Sequence, residues 1–193
     1  MDILSYRGMA LDVKIILYDE LDRMDKDKIR ILLNKDIQYS KSIINSVFKN
    51  CQSKLNATVE TDAYINFGEA LLHFLLTVAM IPSERKITIN DFEVSVIIPN
   101  LKNLKSNSNA LLIKFLDSKS NDYEDIISKL SLIQPDKKNI WLVSTSVLKT
   151  ETSNFVISME DFDENSCLFN FNQIIVRIDK FLKDINYTGL KIL

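Results

Sequence analysis

The sequence has few of the residues on which most recognisable catalytic and cofactor sites depend. Its 193 residues include one histidine, three glycines, three prolines and two cysteines. A single histidine argues against His-based catalysis and multi-histidine metal sites, and three scattered glycines leave no glycine-rich phosphate loop or dinucleotide fingerprint. Two isolated cysteines do not make a structural zinc site. These absences leave acidic side chains and lysines as the candidates for chemistry.

The sequence also lacks a long apolar run and a signal peptide. No stretch approaches the roughly 20 apolar residues that a membrane-spanning helix needs, and the first residues do not show the basic-then-apolar order of a secretory leader. Cys51 and Cys167 stand apart from each other and from the histidine, which is typical of reduced intracellular thiols. With 46% hydrophobic residues, 26% charged residues and a net charge of −2, the composition predicts a folded cytoplasmic protein with no membrane partner.

The first part of the chain, residues 1–57, predicts a helical region. Neither glycine nor proline interrupts residues 9–67, and apolar residues recur there at helical spacing. The predicted helices cover residues 9–24, a short segment around 29–33 with Asp25 or Asp27 as its N-cap, and residues 36–55. The first helix has a second apolar face, formed by Leu11, Ile15 and Tyr18. If exposed, this face predicts a non-enzymatic interaction module that forms a homodimer or binds a protein partner through residues 1–57.

The remaining residues, 58–193, predict an α/β domain. The fold class is therefore α/β or α+β, with the N-terminal helical region packed on a mixed β-sheet that has flanking helices. The predicted elements are a buried helix at 67–80, strands at 86–89, 93–98, 110–116, 140–144 and 155–158, helices at 123–130 and 172–185, a loop at 100–109, a turn at 135–139, and a strand or loop at 58–61. The unit from residue 110 to residue 144 is long enough for a parallel crossover.

The most basic part of the chain is residues 101–150, which carry eight basic and five acidic side chains, a net charge of +3. Its lysines include Lys102, Lys105, Lys119, Lys129, Lys137 and Lys138. They are interpreted either as an ordinary solvated surface or as a face that contacts nucleic-acid phosphates.

One strand carries an unexpected charge. The run Ala110–Leu116 is otherwise apolar but contains Lys114, and a buried lysine is costly unless it is paired. A helix with Glu69 and a strand that opens with Asp91 and Glu93 precede it, and a further apolar strand follows at residues 140–144. Over about residues 66–145, this order of elements resembles the core of restriction-endonuclease-like nucleases.

The resemblance implies a site and a chemistry. In that family a helix supplies a glutamate, a strand supplies an aspartate, and the next strand carries Glu-x-Lys around a magnesium ion. The matching residues are Glu69, Asp91 or Glu93, and Lys114, with Glu69 and Asp91 as the metal ligands and Lys114 assisting. The resemblance thus implies a nucleic-acid partner and, if the chain is active, a magnesium-dependent nuclease.

The Glu-x-Lys pair is interrupted in this sequence. In one register Leu112 replaces the glutamate, and in the other Lys114 replaces the glutamate and Leu116 the lysine. The interruption predicts degenerate or lost nuclease activity, unless Asp117 or Asp122 supplies the missing acid.

Each candidate residue also has a structural interpretation. Glu69 pairs with His73 one helical turn later, or Lys114 forms a buried ion pair with Glu69 or with Asp91. Lys114 alternatively extends its ammonium group past apolar neighbours to solvent or to an acid.

The two strand acids have simpler alternatives. Asp91 forms a turn with Asn90. Glu93 occupies the exposed half of an alternating strand. Phe115 and Trp141 are predicted as core residues.

Overall fold

The computed structural model describes residues 3–58, 62–117, 122–145, 155–158 and 168–187. Within these ranges the helices are α1 (Ile3–Arg23), α2 (Lys26–Lys35), α3 (Tyr39–Ala57), α4 (Asp62–Val78), α5 (Leu101–Asn107), α6 (Tyr123–Ile133) and α7 (Ile174–Asp184). The strands are β1 (Glu84–Ile89), β2 (Phe92–Ile98), β3 (Leu111–Phe115), β4 (Ile140–Ser144), β5 (Phe155–Ser158) and β6 (Leu168–Asn170). None of the helices in these ranges is both long and apolar enough to cross a membrane. The predicted α/β class is confirmed.

The strands form one mixed sheet in sequence order, from β1 to β6. The pairs β1–β2 and β2–β3 are antiparallel, whereas β3–β4, β4–β5 and β5–β6 are parallel. Helix α6 joins β3 to β4, so the predicted parallel crossover is confirmed. The carboxyl ends of β3 and β4 lie at the same end of the sheet as the β1–β2 turn. We call this end of the sheet the carboxyl edge. Their amino ends and the end of β2 lie at the opposite end, the amino edge.

The two faces of the sheet are buried by different helices. Leu111, Ile113 and Phe115 of β3 join a buried cluster with α1, α2, α3, α4 and α7, and we call this side the helical face. Leu112 of β3 and Leu116 just after it join a second cluster with α5 and α6 on the α6 face. Because neighbouring strand residues point to opposite faces, β3 separates these two layers residue by residue.

The N-terminal helices share their core with the sheet. Val13, Leu17 and Leu21 of α1 lie in the same buried cluster as α4 and β3. Aromatic edge-to-face contacts continue this core: Phe48 of α3 lies 5.3 Å from Phe67 of α4 and 5.8 Å from Phe171, centroid to centroid. Phe171 in turn lies 6.2 Å from Phe115 of β3. The division at residue 57 stays a prediction, and the buried cluster runs across it.

The prediction that residues 100–109 form a loop is wrong, because most of this segment is helix α5. The Asn100 side chain caps the helix by accepting a hydrogen bond from the backbone N–H of Asn103 at 2.9 Å. Leu101 and Leu104 pack on the α6 face, and Ser108 ends the helix in the left-handed conformation with φ of 56°. The polar Lys/Asn/Ser composition favoured a loop, whereas the segment forms a helix of only two turns that is stabilised by its cap and two leucines.

Other boundaries differ in smaller ways. Helix α4 begins at Asp62, five residues before the predicted start at residue 67, and the predicted turn at 135–139 contains a 3-10 turn at Lys137–Asn139. Asp25 caps α2, as the sequence predicted among its alternatives, and Asp122 caps α6. Part of the segment 58–61 lies outside the described residues, as do Lys119 and Cys167.

Candidate functional site

Lys114 is half-buried on the α6 face of β3, between fully buried Leu112 and nearly buried Leu116. Its Nζ donates a hydrogen bond of 3.0 Å to the backbone carbonyl oxygen of Glu93 and lies 5.3 Å from the ring centroid of Phe92. A cation over an aromatic face is stabilised by the ring quadrupole. The ammonium group therefore extends past its apolar neighbours to a carbonyl and a ring, instead of forming the ion pairs with Glu69 or Asp91 that were considered.

Phe92 is a residue that the sequence reasoning missed. It begins β2 and packs against the α6-face cluster. The Nζ of Lys129 on α6 also lies over its ring, at 6.0 Å, and the same Nζ pairs with Asp125 at 2.5 Å. No sequence signal links these residues, because their proximity depends on how α6 packs against the β1–β2 hairpin.

Glu69 lies on a helix of the opposite layer. Its helix, α4, packs on the helical face through Leu71, Leu72 and Leu75. The Oε1 atom of Glu69 is buried without a hydrogen-bond partner, and so is the Nδ1 atom of His73 one turn later. The predicted Glu69–His73 pair is therefore not formed through these atoms.

His73 lies instead near a second basic group. Burial lowers the pKa of His73 below its ordinary value of 6.5, and the positive charge of Arg85 on β1 lowers it further. Arg85 is directly opposite Val96 in the β1–β2 pair, so both side chains lie on the helical face. The Nε atom of Arg85 is also buried without a partner. Arg85 was not a candidate from the sequence, because only its cross-strand position brings it close to His73.

Asp91 is a turn residue. Asn90 and Asp91 both have positive φ, 51° and 60°, as the two central residues of a type I′ hairpin do. Asp91 is exposed, and Glu93 is exposed two residues later. The structural interpretations of these two acids are confirmed. Glu93 contributes its backbone carbonyl, and not its carboxylate, to the contact with Lys114.

Asp117 and Asp122, the possible substitutes for the missing glutamate, do not complete a set of metal ligands. Asp122 accepts a hydrogen bond of 2.9 Å from the backbone N–H of Asp125 as the cap of α6. Asp117 is exposed just after β3. Across the described ranges, no three His, Cys, Asp or Glu side chains come close enough together to hold a metal ion. The predicted ligands thus do not belong to a three-residue metal-binding cluster within the described part of the chain.

The sheet has two antiparallel strand pairs followed by parallel pairs. Helix α4 packs on one face of this sheet and α6 on the other. This arrangement defines the class to which the fold belongs. The chain has a restriction-endonuclease-like fold, as the resemblance predicted.

Two solved structures show this likeness. Metal-depleted Ecl18kI in complex with uncleaved DNA has a TM-score of 0.52 at 13% sequence identity, and the match covers 93% of this chain and 67% of Ecl18kI. The restriction endonuclease PspGI in complex with substrate DNA has a TM-score of 0.53 at 14% identity, covering 89% of this chain and 93% of PspGI. No protein-family model matches the chain, and no curated protein matches it in sequence.

Proposed function

We propose that this protein binds nucleic acid with a restriction-endonuclease-like fold and lacks metal-dependent cleavage. The observation that carries the proposal is the environment of Lys114. In the register that matches the family lysine, the position of the partner glutamate is Leu112, which is fully buried in the α6-face cluster. The Lys114 ammonium group contacts a carbonyl oxygen and an aromatic ring.

Hydrolysis of a phosphodiester by a magnesium ion needs carboxylates that hold the ion beside the phosphate. Glu69 is on α4, which packs on the helical face, whereas Lys114 shares the α6 face of β3 with Leu112 and Leu116. Because strand side chains alternate, the Lys114 side chain leaves β3 on the face away from the layer that contains α4. Asp91 is exposed on the hairpin turn. This dispersion supports loss of cleavage rather than a rearranged metal site.

Two considerations support nucleic acid as the ligand. Both Ecl18kI and PspGI are seen in complex with DNA. The described part of the chain also presents exposed lysines on α5, α6 and the 3-10 turn before β4, a composition suited to phosphate contacts.

The experiment is a binding titration followed by a cleavage assay on the same samples. Binding of a labelled DNA duplex is measured by fluorescence anisotropy over a series of salt concentrations. We expect the logarithm of the binding constant to fall linearly with the logarithm of the salt concentration, with a slope of about −0.9 for each phosphate that the protein neutralises. Incubation with Mg²⁺ or Mn²⁺ is expected to leave both strands intact on a denaturing gel.

A matched pair of variants sharpens the cleavage assay. Lys114→Ala removes the candidate catalytic lysine, and Lys54→Ala removes an exposed lysine far from it in sequence. Cleavage by the wild type and Lys54→Ala that disappears in a folded Lys114→Ala protein would contradict the proposal, and so would the absence of DNA binding at low salt.

A second candidate function is a protein-interaction module, favoured by one observation. On α1, the second apolar face predicted from the sequence leaves Ile15 and Tyr18 exposed, at 48% and 44%. Val13 and Leu17 of the same helix are buried against α4, so the helix presents apolar residues on both sides. An exposed apolar strip of this kind supports a homodimer or a partner-helix contact through residues 1–57.

This second candidate predicts assembly that depends on the exposed face. We expect the double variant Ile15→Glu/Tyr18→Glu to be monomeric by light scattering under conditions where the wild type is larger. Truncation of residues 1–57 is unsuitable, because α1 and α3 contribute to the common core. Ile31→Glu, at 67% exposure on α2, is the control and should assemble as the wild type does. A monomeric wild type at micromolar concentration would exclude the homodimer.

A further inference from the structure

Four exposed lysines are on segments at the amino edge of the sheet. Lys102 and Lys105 are on α5, which follows the end of β2, and Lys137 and Lys138 are on the 3-10 turn that leads into β4. The register brings these segments to one end, because Ile98 pairs with Leu111, and Leu112 pairs with Ile140. We call these four residues the amino-edge lysines.

The charge of this edge is positive. Between residues 99 and 110 the chain has two lysines and no acid, and between residues 134 and 140 it has two lysines and one acid, Asp136. Four positive charges against one negative charge give a local net charge of +3. The Asp136 carboxylate accepts a hydrogen bond from the backbone N–H of Lys138 at 3.1 Å, so its orientation is fixed by the turn.

The backbone that carries these lysines is held by buried contacts. Gln134, which is fully buried, donates from Nε2 to the carbonyl oxygens of Ser108 and Ala110, at 2.8 Å and 2.5 Å. This side chain joins the end of α6 to the connection between α5 and β3. The indole N–H of Trp141 donates to the carbonyl oxygen of Lys138 at 3.2 Å. Both lysine-bearing segments are thus held by side-chain hydrogen bonds at the amino edge.

Helix α5 orients its two lysines away from that core. Leu101 and Leu104 pack in the α6-face cluster, while Lys102, Lys105 and Ser106 are exposed. Residues three apart on a helix lie on the same side, so Lys102 and Lys105 form one pair of charges. Both charges therefore face solvent on the same side of α5.

The opposite end of the sheet carries the other sign of charge. Asp91 and Glu93 of the hairpin are exposed at the carboxyl edge, with Asp117 after β3 and Asp122 at the start of α6, and these four acids outnumber the ammonium groups of Lys114 and Lys129 over the Phe92 ring. A polyanion is therefore attracted to the amino edge and repelled from the carboxyl edge.

We propose that the amino-edge lysines form the phosphate-contacting surface for a nucleic-acid backbone. This inference rests on the proposed function and assigns it to the edge of the sheet that lies away from Lys114. Among the side chains of α5 whose burial is described, the exposed ones are lysine and serine, which are common donors to phosphate oxygens. Protein interfaces, in contrast, usually have an apolar or aromatic centre. These contacts to phosphate predict binding with little sequence preference.

The test removes the same amount of charge at two places. The variant K102Q/K105Q/K137Q/K138Q removes the amino-edge lysines, and the control K14Q/K28Q/K35Q/K49Q removes four exposed lysines from α1, α2 and α3. Binding of a labelled DNA duplex to the full chain is measured by anisotropy across a salt series. Circular dichroism and thermal unfolding confirm that each variant is folded.

We expect the amino-edge variant to bind at least about tenfold more weakly at low salt, with the log–log salt slope reduced by about 0.9 for each phosphate that the variant no longer neutralises. The control variant should retain the wild-type slope. Equal slopes in all three proteins, or equally weakened binding in both variants, would overturn the assignment of this surface while leaving nucleic-acid binding intact. A wild type that does not bind at low salt would overturn the proposed function, and this inference with it.

Discussion

Replacement of Leu112 by glutamate is expected to destabilise the protein by about 3–5 kcal/mol at pH 7 without restoring cleavage. The substitution restores the Glu-x-Lys pattern in β3. However, Leu112 is fully buried and belongs to the same cluster as Leu142, Ile127 and Leu130. A carboxylate there loses its hydration without gaining a partner. Equilibrium unfolding in denaturant measures the change.

The pH dependence distinguishes a buried charge from a simple packing defect. Burial raises the pKa of the introduced carboxyl above its ordinary value of about 4.3, so the folded state binds more protons than the unfolded state between these two pKa values. The destabilisation relative to the wild type should therefore shrink as the pH falls toward about 4.5. Leu112→Gln is the control and should show a cost that does not vary with pH. A stable Leu112→Glu protein with magnesium-dependent cleavage would contradict the dispersed arrangement of the candidate ligands, while still agreeing with loss of cleavage in the wild type.

The substitution Phe171→Ala is expected to lower the free energy of unfolding by about 3–5 kcal/mol. Phe171 is almost fully buried and lies between Phe48 of α3 and Phe115 of β3, with both rings in edge-to-face contact. Its removal leaves a cavity where the N-terminal helices meet the sheet, and it also removes two aromatic contacts. Denaturant unfolding followed by far-UV circular dichroism and by Trp141 fluorescence measures the change.

The shared core predicts that both signals move together. Helical signal comes mainly from α1 to α4, and Trp141 reports on β4 of the sheet. Leu132→Ala is the control, because Leu132 is 83% exposed on α6 and its truncation should change the stability little. Two separate transitions, of which Phe171→Ala shifts only one, would show that residues 1–57 and the sheet unfold independently.

Long periodic segments and apolar runs allowed much of the fold to be predicted. The strand β4 matches its predicted bounds of 140–144, and the buried stripe of α1 contains Val13, Leu17 and Leu21 as the spacing indicated. These elements are recognisable because each one buries a regular apolar pattern. The parallel relation of β3 and β4 followed from the length of the connection between them.

The sequence was less informative where tertiary contacts decide the structure. Helix α5 depends on a cap and two leucines that pack on the α6 face, so its polar composition suggested a loop. The candidate residues matched the family order along the chain, but the order does not tell which face of the sheet each side chain occupies. Glu69 and Lys114 lie on different layers because α4 and the even-numbered positions of β3 pack on opposite sides.

A calorimetric titration with Mg²⁺ and Mn²⁺ tests the central claim, that the nuclease fold is present without its metal site. The wild type is compared with the double variant Glu69→Ala/Asp91→Ala, both verified as folded. Because the candidate ligands lie apart and no group of three metal-ligating side chains occurs in the described ranges, we predict no saturable binding that differs between the two proteins. Saturable binding to the wild type that disappears in the double variant would establish a carboxylate metal site and contradict the account.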